Sequence, residues 1–192
     1  FTGRGEEFDP GYYKALALDE RVVAIGECGL DFYRLGEHTK DKQLAVLDVH
    51  IELSREVKKP LMIHCRKAFA DLILFLGSRA EKLQASAGVV HFFTGTTNDA
   101  RMLMDFGFSF TFGGAITFTR DYDDVVKFIP VDHILSETDA PYVAPDLYRG
   151  RRNEPAYVVE TVKKLAELKQ NSLEDVSYQT TASAMRVFVL EN

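Results

Sequence analysis

Short apolar runs separated by longer amphipathic stretches set the pattern of this chain. Val22 to Glu27 (VVAIGE), Leu61 to His64 (LMIH), Gly88 to Phe93 (GVVHFF), Phe108 to Phe112 (FSFTF) and Ile134 to Ser136 (ILS) are rich in β-branched and aromatic residues. Most lack polar alternation, which is how strands buried on both faces of a parallel sheet read. Between them the spacing predicts helices over about Asp41 to Lys58, Lys67 to Leu83, Asn98 to Phe106 and Asp121 to Phe128, the third ended by Gly107 at its C′ position. Two more are expected after a Pro- and Arg-rich loop, over about Pro155 to Lys169 and Leu173 to Val189, with Ser172 and Asp175 as a cap for the last. Strand and helix alternate, which argues for βα units and an α/β fold with a parallel sheet. The polar, Gly-rich opening FTGRGEEFDPGYY reads as a loop.

With 192 residues, 46% of them hydrophobic, the chain suits a single domain over residues 1–192. Five strands do not close a barrel, which in its common form has eight and takes roughly 250 residues. The pattern leaves two architectures open: an open sheet complete in itself, or a barrel whose first three βα units lie upstream of Phe1, where the chain opens without an initiator Met. A formal net charge of -6 provides no global positive field, so any contact with nucleic acid must be local. The apolar runs are far too short to span a bilayer, and the amino end shows no signal pattern, so no membrane partner is expected. The separation of the two cysteines, Cys28 and Cys65, excludes a CxxC redox or zinc motif and suits a reducing, cytoplasmic setting.

Four strand ends carry a ligand-type residue: Glu27, His64, His91 and, after ILSET, Asp139. Their spacing suits successive βα units of roughly 30 residues, with the Phe108 to Phe112 strand intervening before Asp139. The carboxyl ends of parallel strands form one mouth, so all four are expected there. Period-two alternation places Val23, Ile25 and Glu27 on one face, Met62 with His64, and Val89 with His91. A single strand-end histidine is more often a hydrogen-bonding residue than a ligand; four ligand types on one edge carry the metal reading. Two imidazoles and two carboxylates without a thiolate suit Mg²⁺, Mn²⁺ or Zn²⁺. The two oxygens of Glu27 can bridge a pair of ions roughly 4 Å apart, the arrangement used in phosphodiester cleavage.

Around these lie secondary candidates. Arg66 stands two residues beyond His64, and Arg149, Arg151 and Arg152 cluster after Asp139; guanidinium forks suit phosphate oxygens, while Asp146 and Glu154 offer Arg149 and Arg151 plain ion pairs instead. Cys28 and Cys65 directly follow two ligand candidates and are expected to point away and pack as small apolar groups. His38, His50 and His133 are read as structural or surface residues. Gly113 and Gly114 would let backbone approach a ligand, or mark only a turn.

GECGLDFYR (Gly26 to Arg34), MIHCR (Met62 to Arg66), HFFTG (His91 to Gly95), SETDAPY (Ser136 to Tyr142) and RRNEP (Arg151 to Pro155) together resemble the TatD-type deoxyribonucleases. The resemblance covers nearly the whole chain. It implies an amidohydrolase-like (β/α)₈ TIM-type barrel, of which this chain holds about the last five βα units. The implied activity is metal-dependent hydrolysis of DNA, in some members from the 3′ end of single strands. By the same resemblance Glu27 is the bridging ligand of two divalent metal ions and His64 and His91 bind one of them. Asp139 binds the other and takes a proton from the attacking water, and Arg66 and Arg152 lie near substrate phosphate. Two departures stand out: the family's His-x-His pair has no counterpart in this chain, and its TTxN pattern reads Thr180-Thr181-Ala182-Ser183. An amidohydrolase-like deacylase and a non-catalytic barrel are the competing expectations.

Overall fold

The computed structural model describes residues 8–190. Strands β1 (Ile25–Asp31), β2 (Leu61–Arg66), β3 (Gly88–His91), β4 (Phe108–Phe112) and β5 (Ile134–Ser136) form one sheet in the order β1-β2-β3-β4-β5, every neighbouring pair parallel. Helices α1 (Pro10–Ala17), α2 (Lys40–Val57), α3 (Phe69–Gly77), α4 (Thr97–Asp105) and α5 (Asp123–Phe128) precede or connect the strands, and α6 (Val158–Lys169) and α7 (Leu173–Phe188) follow them. Each crossover carries the chain from the carboxyl end of one strand back to the amino end of the next, as parallel pairing requires. Among the described residues no helix is long and apolar enough to cross a membrane.

Local chemistry accounts for several boundaries. Ser172 Oγ accepts from Asp175 N at 3.0 Å and caps α7. Thr96 and Asp99 form a reciprocal capping box at the start of α4. Gly107 follows α4 with φ 84°, and a Cβ there would meet Ala85 O at 2.5 Å, so both the turn and the close approach call for glycine.

The expected loop at the amino end is corrected where it can be seen. Residues 1–7 lie outside the described residues, but Asp9 accepts from the Gly11 and Tyr12 amides and starts α1. The helix expected to run from Lys67 to Leu83 stops at Gly77 and is followed by a 3₁₀ turn, Ala80–Lys82. The one expected from Pro155 begins with a 3₁₀ turn, Pro155–Tyr157, before α6.

The first strand also departs from expectation. It starts at Ile25 rather than Val22 and runs on to Asp31, so Glu27 lies inside the strand. Ile25 pairs with Leu61 and Cys28 with Ile63, so β1 spends one more residue than β2 over that interval. This bulge breaks the period-two pattern. Ile25 is buried in the main core while Glu27 is exposed, so Val23, Ile25 and Glu27 do not share a face.

The sheet buries its two faces unequally. Along β2, Leu61, Ile63 and Cys65 are buried in the helix-covered core, whereas Met62, His64 and Arg66 are half-buried on the opposite face. Phe93, Phe108, Phe110 and Phe112 fill the main core, and removing one such ring costs about 3–5 kcal/mol. On the opposite face a small second cluster joins Val89 and Leu135 to Met62, Ala184, Val187 and Phe188, so α7 covers the sheet one layer below His64 and His91. Cys28 and Cys65 are buried free thiols, as their reading as packing residues expects, and burial pushes the Cys65 thiol up to about 12.

Candidate metal centre

At the carboxyl edge of the sheet, each candidate histidine stands between two carboxylates. His64, near the end of β2, has Nδ1 2.9 Å from Glu27 Oε1 and Nε2 3.0 Å from Asp31 Oδ2. His91, the last residue of β3, has Nδ1 2.5 Å from Glu137 Oε2 and Nε2 3.7 Å from Asp139 Oδ1. Glu27 and Asp139 were singled out from the sequence; Asp31 and Glu137 were not. These two sit deeper, with side chains 12% and 16% exposed against 49% for Glu27 and 35% for Asp139.

The deeper carboxylates are themselves anchored by the chain. Asp31 Oδ1 accepts from Arg34 N at 2.8 Å. Glu137 Oε1 accepts from Phe92 N at 2.7 Å and from the Thr111 hydroxyl. Such groups hold an imidazole in one tautomer and one orientation, leaving the other nitrogen for a ligand. Glu27 and Asp139 stand on the more exposed side of each ring.

Electrostatics couples the two halves. The hydrogen bond to His64 holds Glu27 below the usual carboxylate range against the effect of burial, helped by the charge on His91. His64 is raised above its ordinary value, first by the bond to Glu27 and then by Asp31. Burial works to lower His91, but the bond to Glu137 and the charges of Glu137, Glu27 and Asp139 leave it raised. Asp139 is raised by burial, with Glu137 and Glu27 adding to the effect.

The loop after β5 carries Asp139 three residues beyond the strand, in keeping with its place after ILSET. Asp139 adopts φ 55°, a left-handed conformation that aspartate tolerates, and its carbonyl accepts from Tyr142 N at 2.8 Å. Asn153, buried to 1%, donates from Nδ2 to Thr138 O at 2.6 Å and Tyr142 O at 2.7 Å, while its amide bonds Pro141 O at 3.1 Å. This staple was missed in the sequence, where RRNEP drew attention to its arginines. Gly114 makes room for the same loop, since a Cβ would lie 2.4 Å from Val143 O, whereas one at Gly113 would meet the Phe92 ring at 3.1 Å.

Arg66 shares the half-buried face of β2 with His64, and its guanidinium lies 3.9 Å from the Tyr33 ring centroid. Arg149 stacks likewise on Phe118 at 3.9 Å, and Arg152 is exposed. Neither Arg149 nor Arg151 pairs with Asp146 or Glu154 among the described residues.

Comparison with known proteins decides the family: the model for TatD related DNase matches residues 5–189. The chain belongs to the TatD-related DNase family. Its TatD-type relatives include the uncharacterized metal-dependent hydrolase YabD of Bacillus subtilis, 41% identical over 184 residues, covering 95% of this chain and 71% of that protein. The 3'-5' ssDNA/RNA exonuclease TatD of a Rahnella species is 34% identical, covering 92% of this chain and 69% of the relative. The crystal structure of YJJV, a TatD homolog from Escherichia coli K12, superposes with a TM-score of 0.86 at 26% identity, over 98% of this chain and 74% of that one. The parallel α/β sheet described above is thus a TatD-like fold.

The donor set fits a divalent cation by its chemistry. Two imidazoles, each with one nitrogen committed to an anchoring carboxylate, and two further carboxylates are the oxygen and nitrogen donors that Mg²⁺, Mn²⁺ and Zn²⁺ take. Among the described residues no three His, Cys, Asp or Glu side chains form a ready-made metal cage; the donors stand as two pairs.

Proposed function

We propose that this protein is a metal-dependent nuclease that hydrolyses phosphodiester bonds of DNA, acting on single-stranded ends, with two divalent ions held by Glu27, His64, His91 and Asp139. The observation that carries this reading is the pair of carboxylate–histidine–carboxylate arrays, Asp31–His64–Glu27 and Glu137–His91–Asp139, at one edge of the sheet. The family and the names of its relatives support nucleic acid as substrate. The (β/α)₈ barrel, with this sheet as its last five βα units, belongs to the same proposal, as does the reducing cytoplasmic setting that suits two buried free thiols.

Bound ions supply the acidity that turns water into a nucleophile at neutral pH and the positive charge that a phosphodiester in displacement needs. Asp31 and Glu137 hold the imidazoles in orientation. Asp139, a carboxylate raised in pKa by burial, accepts the proton of the attacking water at its carboxylate oxygen. Arg66, beside His64, and Arg152, on the loop after Asp139, take the phosphate oxygens.

The test is cleavage of end-labelled single-stranded DNA with Mg²⁺, Mn²⁺ or EDTA, with Glu27→Ala and Asp139→Ala in parallel. Metal-dependent cleavage lost in both variants supports the reading. Cleavage that survives both substitutions, or hydrolysis of esters and amides but not of DNA, overturns it.

A further inference from the structure

One aromatic ring beside the site has surroundings that core packing does not explain. Tyr33 follows Asp31 by two residues and remains 56% exposed, although the Arg66 guanidinium sits 3.9 Å from its ring centroid and Lys67 Nζ 5.0 Å. The main chain on either side of it is fixed. Phe32 N donates to Arg66 O at 3.0 Å, and the next amide after Tyr33, that of Arg34, bonds the Asp31 carboxylate. Tyr33 is therefore tied to Asp31, which orients His64, and to Arg66, which shares the face of β2 with His64.

Lys40 and Arg79 each have a carboxylate, Asp71 and Asp48, but neither Arg66 nor Lys67 forms an ion pair among the described residues. Their donors remain available to an anion. A ring partly covered by a guanidinium and otherwise open offers a π-face to any nucleobase, and the cations beside it suit the phosphates that link successive bases. A local grip of this kind also answers the charge of -6, which gives no long-range attraction to a polyanion.

We propose that Tyr33 is a stacking platform for an unpaired nucleobase of the bound strand, with Arg66 and Lys67 taking the adjoining phosphate. The platform rests on the reading of the neighbouring centre as a nuclease site. It adds a base-recognition subsite to a centre that otherwise touches only the backbone.

Binding, measured apart from cleavage, tests it. Fluorescence anisotropy in EDTA compares a labelled oligothymidylate with an abasic oligonucleotide of the same length, on the intact chain and on Tyr33→Ala and Tyr33→Phe. Tyr33→Ala is expected to weaken oligothymidylate binding by about 5- to 150-fold and to leave abasic binding unchanged, while Tyr33→Phe keeps the ring and the affinity. Equal weakening of both oligonucleotides, no weakening of either, or no oligothymidylate binding by the intact chain overturns the platform. Cleavage lost in Glu27→Ala but insensitive to Tyr33 would leave the nuclease standing without it; base-dependent binding with no metal-dependent cleavage would do the reverse.

Discussion

His91 Nδ1 lies 2.5 Å from Glu137 Oε2, and its Nε2 faces Asp139. A carboxylate can only accept, so the bond places the proton on Nδ1 and leaves the Nε2 lone pair directed at the exposed side of the site. Glu137 thus decides which nitrogen of His91 is available.

Replacing that carboxylate by its amide isolates the effect. Glu137→Gln is expected to weaken divalent-metal affinity by about 10- to 100-fold, read by competition with a chromophoric chelator. Unchanged affinity in a folded variant would remove Glu137 from the site. Glu137→Ala goes further, because the buried Thr111 hydroxyl loses its acceptor and Phe92 N–H keeps only Thr111 Oγ1 at 2.9 Å, and it should also cost about 1–3 kcal/mol of stability in chemical denaturation.

Acidity should act with opposite signs on folding and on metal binding. Both His64 and His91 are raised above the ordinary 6.5 in the metal-free protein. Their protonated forms therefore stabilise the fold fully below about pH 6.5, and that contribution is lost as pH rises through the raised values. A metal requires the neutral imidazoles, so its affinity should climb over the same interval. Melting curves of EDTA-treated protein and metal titrations at a series of pH values check both signs. Affinity that stays level through this window would count against histidine ligation.

Asn153→Ala should damage activity more than its stability cost suggests. The substitution removes the amide that holds Thr138 O and Tyr142 O, at about 1–3 kcal/mol. It also frees the segment carrying Asp139. The expected outcome is a lowered melting temperature together with a loss of kcat in a variant that remains folded at the assay temperature; normal kcat would show that the loop holds Asp139 without the staple.

Gly114→Ala places a methyl group where Val143 O and Pro145 N already stand at 2.4 and 2.8 Å from the ideal Cβ. The loop must move, and a destabilisation of about 1–3 kcal/mol is expected. Alanine at Gly150, whose ideal Cβ meets nothing within 4 Å, is the comparison for contact, although its φ of 80° adds backbone strain.

What could be read ahead of the structure followed from local rules. Strands β4 and β5 match their expected limits to the residue, and α2, α4 and α7 agree to within a residue, because periodicity and caps act over a few neighbours. β1 escaped the same reasoning, since alternation assumes an unbroken ladder and one extra residue reverses it. The carboxylates Asp31 and Glu137 lay inside recognised motifs, yet their roles depend on contacts reaching 33 and 46 residues along the chain. Asn153 was hidden for a related reason: its value lies in three backbone carbonyls that no side-chain pattern announces.

The unequal faces of β2 have an evolutionary consequence. Leu61, Ile63 and Cys65 are locked into the helix-covered core, so changes there are charged against folding. Met62, His64 and Arg66 alternate with them on the opposite face, where Met62 packs under α7 while His64 and Arg66 stand toward the open end of the strand. A lineage can therefore change Arg66, the side chain beside His64, while inheriting the helix-covered scaffold intact, and variation can enter by single steps along one side of a strand.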